Sequence, residues 1–419
     1  MNSNTKLIFQ KNSRRALVSF KWILFSIIVG LVVGFIGTFF SFGLSFVTVL
    51  RNQNGWLILL LPIGGLSIVA LYRLFKNTDD AGTNLIISAV HSGDETHVRT
   101  APLIFISTLI THLFGGSAGR EGAALQIGGS IGGGIGKLLH FDDKDKNIMI
   151  MCGMSAAFSA LFGTPMAAAI FSMEMISVGI MYYSALVPCV ISSLVAHGIA
   201  IFFGVAKESL PVTNVPSLSI VPSIKVSVLA ILCALVSMLF CITMHQVEHL
   251  YKRLFKNAYL QIFVGGCLVV LLTILVGDQT YNGAGMPVIE ECFHGNAVPW
   301  AFLLKIIFTA LTIGAGYKGG EIVPTLFIGA TFGCFFGNLI GFSPSLCSAV
   351  GITAMFCGVT NSPITSLLLS FELFGYEGMP YYLLATAFSY MFSGYFGLYK
   401  SQRIIYSKYR ASYVNKTTS

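Results

Sequence analysis

Two short runs in the chain set a carboxylate among glycines: Gly115-Gly116-Ser117-Ala118-Gly119-Arg120-Glu121-Gly122 and Lys318-Gly319-Gly320-Glu321-Ile322-Val323-Pro324. Glycine removes the side chains that would keep backbone N–H groups away from an ion. A helix starting near Glu121 aims its unpaired N–H groups and the positive end of its dipole at that spot. The result is an anion site made of backbone, to which Gly119, Arg120 and Gly122 contribute. Glu121, when ionised, can occupy the site itself, and it vacates the site when protonated or displaced. It therefore reads as gate and proton carrier together, against the plainer reading of a glutamate capping its own helix. In the second run Pro324 suits a first helical turn, where its missing N–H costs nothing. The N–H groups of Ile322 and Val323 then point into the site from the other side. Glu321 reads as a cap, with Gly319 and Gly320 making the bend.

These loops must be held by something, and the sequence supplies it twice. Gly153-x-x-Ala156-x-Phe158-x6-Pro165 recurs as Gly351-x-x-Ala354-x-Phe356-x6-Pro363 at an offset of 198 residues. Each proline is followed nine residues later by a glutamate, Glu174 and Glu372. The two glycine runs align at nearly the same offset. Two halves, 76–205 and 260–398, are therefore expected, flanked by an N-terminal segment with the first membrane helices (1–75). A linker loop and connecting helix (206–259) and a C-terminal segment (399–419) complete the chain. Repeats with short, Gly/Pro-interrupted apolar spans at matching positions point to a transporter whose site lies between the halves.

Composition agrees. Of the 419 residues 55% are hydrophobic and 10% charged, against roughly a quarter charged in soluble domains. An all-α polytopic membrane protein is expected. Several apolar runs fall short of the roughly 20 residues a perpendicular crossing needs, so broken helices are expected, buried in protein or lining a cavity. The run from 164 to 205 is long enough for two helices, and the first run, Leu17 to Leu50, is too long for a cleavable signal peptide.

The net charge of +8 is concentrated at the ends, in Lys6, Lys11, Arg14, Arg15 and Lys21 and in Lys400, Arg403, Lys408, Arg410 and Lys416. Basic residues flanking apolar spans stay cytoplasmic, which puts both termini inside a plasma membrane with an even number of crossings. No basic stripe interleaved with aromatics suggests a nucleic-acid partner. The nine cysteines occur singly and form no C-x-x-C pair, and no cofactor is called for.

Some patterns mimic enzymes. His245-Gln246-Val247-Glu248-His249 fits H-x-x-E-H, but it sits beside Lys252 and Arg253 at the end of an apolar span, with no third ligand identifiable. Interfacial polar residues explain it better than an intramembrane zinc enzyme. Gly314-x-Gly316-x-x-Gly319 lacks the βαβ unit of a dinucleotide site. A cation-coupled carrier of organic solutes would need midplane polar side chains that are mostly missing.

The glycine–glutamate runs and the proline-to-glutamate helix resemble the CLC family of chloride channels and anion/proton exchangers over residues 76–406. Gly119-Arg120-Glu121-Gly122 is similar to its gating-glutamate motif, Gly319 to Pro324 to its second anion loop, and 164–175 to the segment leading to its internal proton glutamate. The resemblance implies two inverted repeats of short, tilted, broken helices and a homodimer with one pore per subunit. It implies chloride or another halide exchanged for protons, with Glu174 on the inner proton route and the Tyr406 hydroxyl on the dehydrated anion. It also aligns Asp80-Ala81-Gly82-Thr83-Asn84 with a serine loop, so that Ala81 and Gly82 stand at a further backbone source. That loop lacks the usual serine and proline, Ile322 replaces a phenylalanine, and Met175 stands where many exchangers carry a second glutamate. These changes resemble the fluoride-exporting branch in part, so a fluoride/proton exporter is the alternative to a chloride carrier.

Overall fold

A computed structural model describes residues 3–77, 81–92 and 96–419, the side chains of 3–15 and of Ser92 excepted. Asp80, at the position of the family's serine loop, lies outside the described residues, and the side chains of Lys6, Lys11, Arg14 and Arg15 do too. The chain folds as helices α1 (Ser3–Gln53), α2 (Leu61–Leu74), α3 (Thr83–Ser92), α4 (Thr100–Leu113), α5 (Glu121–Leu138) and α6 (Asp143–Phe162). These are followed by α7 (Pro165–Glu174), α8 (Leu186–Phe202) and α9 (Ile220–Leu254). The second half holds α10 (Ala258–Val276), α11 (Met286–Phe293), α12 (Ala301–Gly314) and α13 (Ile322–Leu339), then α14 (Pro344–Thr360), α15 (Pro363–Phe374) and α16 (Met379–Phe392).

Among the described residues six helices are long and apolar enough to cross a membrane, while α4, α12, α14 and α15 are apolar but shorter. In hydrocarbon each backbone must bond within itself; helices too short to cross are tolerated here because at least half the residues of each are buried in protein. The apolar run from 164 to 205 does hold two helices, α7 and α8.

The two halves are inverted copies. In both, an 18-residue helix with a glycine-rich face packs along the next helix, α5 on α6 and α13 on α14. Gly128 and Gly153 mark the first contact. A Cβ on Gly128 would lie 2.1 Å from the Gly153 carbonyl oxygen, and one on Gly153 would lie 2.0 Å from that of Gly128. Gly329 and Gly351 repeat the contact, at 2.5 and 2.1 Å. Small residues let helices approach this closely where lipid offers no hydrophobic drive.

Helix ends repeat as well. Asp142 caps α6 by accepting from the N–H of Asp145, and Ser343 caps α14 by accepting from that of Leu346. Gly163 ends α6 and Asn361 ends α14, both with left-handed backbone, and a proline opens α7 and α15 two residues later. The repeat motif of the sequence is thus a helix–turn–helix corner used twice.

One element departs from the all-α expectation. Strand β1 (Ser177–Val178) pairs parallel with β2 (Arg403–Tyr406), and β2 pairs antiparallel with β3 (Tyr413–Thr417). This small sheet ties the C-terminal segment to the turn after α7.

Candidate functional site

The two glycine loops meet. The Gly119 N–H donates to the Gly320 carbonyl at 2.6 Å and the Gly320 N–H to that of Gly119 at 2.9 Å, an antiparallel bridge between the halves. From this bridge α5 and α13 lead away, so that both helix N-termini face one point. Glu121 fills that point. Its Oε2 accepts from the N–H of Arg120 at 3.0 Å and from the N–H of Val323 at 3.1 Å. Its Oε1 has no partner and the side chain is fully buried. A Cβ on Gly119 would lie 2.3 Å from Oε2, which is why a glycine stands there. The carboxylate is thus held by one amide from each half.

Second-half groups hold the first loop. The Ser117 N–H donates to Thr312 Oγ1 and its hydroxyl bonds Thr309, both at 3.1 Å. Asn282 Nδ2 donates to the Gly115 carbonyl at 2.8 Å and the Gly283 N–H to that of Gly116 at 3.1 Å. His112, buried on α4, donates from Nε2 to the Gly119 carbonyl at 3.1 Å. With the Gly320 N–H, that bond gives the Gly119 carbonyl two donors.

Two cavities approach the site through different residues. One, of about 460 Å³, reaches Arg120 and Leu161 and is lined by Ser41, Glu208 and Glu290. There the Arg120 guanidinium pairs with Glu208 and lies over the Phe162 ring. The other, of about 490 Å³, is lined by Ala81, Gly82, Thr83, Gly319, Glu321, Glu248, Tyr399 and Lys400.

Tyr399 was missed by sequence reasoning. It is 1% exposed, its hydroxyl has no partner, and it lines the same cavity as Glu321. Its backbone is fixed from three sides. The Leu398 N–H donates to Val359, the Ser401 N–H to Asn84 Oδ1, and Thr418 Oγ1 to the Tyr399 carbonyl. Tyr406, the tyrosine expected at the anion, is 46% exposed on β2 and packs edge-on against Tyr413. Its backbone packs beside Gly179, just after β1.

The other expected residues divide. Gly119, Arg120, Gly122, Gly319, Gly320, Ile322, Val323 and Pro324 gather around Glu121. Ala81 and Gly82 line the Tyr399-side cavity, where Thr83 Oγ1 approaches the Gly122 carbonyl at 3.5 Å. Glu321 stands at the N-cap position of α13, yet its side chain makes no cap bond, and Oε2 is buried without a partner beside the cavity. Glu174 is elsewhere engaged: Oε1 accepts from the Ile364 N–H at 3.0 Å, and Oε2 from the N–H and hydroxyl of Thr365 at 2.8 and 2.6 Å. It caps the N-terminus of α15. Of the H-x-x-E-H run, Glu248 is bound by Lys252 and Lys400 and His245 Nε2 faces the Leu398 carbonyl at 3.3 Å.

Residues 64–394 match the family described as voltage gated chloride channel. The chain belongs to that family, the CLC proteins. Over 396 residues it is 33% identical to a chloride/fluoride channel protein of Pseudomonas syringae pv. tomato, covering 93% of this chain and 88% of the relative. An H(+)/Cl(-) exchange transporter of Vibrio campbellii is 25% identical over 387 residues, covering 85% and 82%. Among solved structures, a CLC-type fluoride/proton antiporter superposes with a TM-score of 0.88 at 30% identity, covering 91% of this chain and 98% of that one. A slow cyanobacterial Cl-/H+ antiporter gives 0.75 at 20% identity, a likeness of fold. This CLC chain is a membrane transport protein with the inverted-repeat architecture, and Glu121 lies where its two halves join.

Proposed function

We propose that this protein exchanges a small halide for protons through each subunit, with Glu121 as gate and proton carrier. One observation carries the reading: a single carboxylate oxygen of Glu121 accepts from an amide of each half. A group that binds a carboxylate oxygen with converging N–H donors binds a bare halide by the same physics. While Glu121 is ionised in place, the route between the Arg120 cavity and the Tyr399 cavity is closed. Protonation removes the charge that the amides favour, the side chain leaves, and a halide enters in its stead. Strict alternation of the two occupants couples anion to proton.

Fluoride is the halide we favour. Both the 33% identical relative and the 0.88 TM-score neighbour carry fluoride in their names. The Ala81–Gly82 turn offers no side-chain hydroxyl where the family's serine stands, and Glu321 brings an unpartnered carboxyl oxygen to the cavity beside Tyr399. Protonated, that carboxyl is a hydrogen-bond donor, and fluoride is the strongest acceptor among halides. With Glu174 engaged by α15, Glu321 also supports a proton route along the Tyr399-side cavity.

We take the protein to be a homodimer in the plasma membrane with both termini cytoplasmic, which the basic residues at both ends support. The Tyr399-side cavity, bordered by Lys252 and Lys400, then opens to the cytoplasm. The reading is tested by Glu121→Gln in proteoliposomes with a pH probe and a halide electrode. Anion flux should persist and proton flux should vanish; a mutant that still moves protons overturns it.

A further inference from the structure

We infer that a second small-anion site, separate from the one Glu121 fills, lies on the turn at 281–285 and is held by Arg51 and Lys305. Arg51, the basic residue of the last turn of α1, is 8% exposed; Nη2 donates to Asn52, while Nε and Nη1 have no partner. Its guanidinium lies over Gly283, where a Cβ would stand 2.3 Å from Nη1 and where φ is +59°. Lys305, on α12, is fully buried and reaches the same turn from the other side. Its Nζ donates to the carbonyls of Gly283 at 2.7 Å and Tyr281 at 3.1 Å and stands 5.1 Å from the centre of the Phe327 ring.

Among the described residues no carboxylate pairs with either cation. Two buried positive groups on one turn, without a counter-charge and with Arg51 donors unused, are costly to bury. Buried polar groups left unpaired in a protein chain point to an ion or water between them. Positive charge on both groups selects an anion, and donors converging on one tight turn select a small inorganic one of halide size. This site differs in kind from the first. It is built of cationic side chains and contains no carboxylate, so Glu121 does not compete for it. It also has a mechanical output, because Asn282 and Gly283 of this turn hold Gly115 and Gly116, the start of the loop that ends in Glu121. A bound halide would stiffen that loop, so that ambient anion sets how well the gate is positioned.

The test uses bromide as the probe and the full-length protein crystallised in sodium bromide, read by anomalous scattering. Wild type should show bromide in contact with the head groups of both Arg51 and Lys305, and Arg51→Gln and Lys305→Met should each lose it. Bromide at the Val323 amide in Glu121→Gln, which tests the transport reading separately, should survive when Arg51→Gln or Lys305→Met is added to that variant. Wild-type crystals with bromide elsewhere but none at Arg51 would overturn the inference, as would bromide there that persists in Arg51→Gln. Should Arg51→Gln fail to fold, the wild-type and Lys305→Met data decide.

Discussion

Glu174 and Glu372 cap each other's helices. Glu174, the last residue of α7, binds the N–H groups of Ile364 and Thr365 at the start of α15, and Glu372, near the end of α15, binds those of Met166 and Ala167 at the start of α7. The two residues are equivalent in the repeat, so the pair is a local copy of the symmetry that relates the halves. Each carboxylate meets the positive end of a helix dipole and satisfies two amides that have no partner within the helix.

The pair predicts its own mutants. Glu174→Ala and Glu372→Ala should each destabilise the protein by about 1–2 kcal/mol, as lost helix caps do, seen as a lower melting temperature in detergent. Glu174→Gln should keep proton-coupled flux, since its acceptor oxygen still caps α15. Loss of proton flux in Glu174→Gln, with Glu372→Gln unaffected, would restore an inner proton role to Glu174.

Tyr399 and Tyr406 should separate cleanly. The Tyr399 hydroxyl has no protein partner, so Tyr399→Phe should leave the melting temperature unchanged. We propose that this unpartnered hydroxyl donates to the transported halide; losing one such bond, worth about 1.5–3 kcal/mol, should weaken halide binding roughly 10- to 100-fold by calorimetry. Tyr406→Phe should leave affinity as it was.

At the helix crossings, Gly128→Ala and Gly351→Ala would each press a methyl against a backbone carbonyl about 2.1 Å away. Backbone cannot yield as a side chain does, and a cost of about 1–3 kcal/mol or more is expected. Size-exclusion profiles and melting curves should show both variants less stable than Gly198→Ala, where a Cβ meets nothing within 4 Å.

Selectivity should show in competition. Fluoride added to wild-type proteoliposomes should displace chloride flux at lower concentration than the reverse. An equal or inverted order would make chloride the preferred substrate.

Much of this was legible beforehand, for a physical reason. An anion site made of backbone needs glycines and a helix start, and both are local features of sequence. The runs around Glu121 and Glu321 therefore announced themselves, and the 198-residue repeat supplied the halves that bring them together. Tyr399 was not legible, because its burial depends on contacts with Val359, Asn84 and Thr418, all remote in sequence except the last. Tyr406 lies on β2, which pairs with strands that no alternating pattern had signalled. The role of Glu321 was misjudged because N-cap position and cap bond are separate facts, and here only the first holds. His112 had a visible signal, a lone histidine in an apolar span, which the reading did not follow.

In the proposed exchange the Glu121 carboxylate is an intramolecular competitor, covalently tethered to the amides it binds. Its effective concentration is set by one side chain's reach and cannot be diluted. A halide arriving from either cavity must outbid a rival that never diffuses away, so its apparent affinity falls below the intrinsic affinity of the amides. Lowering the pH handicaps the rival without touching the halide's own contacts, so acid on either face of the membrane should speed anion entry even at a constant halide gradient.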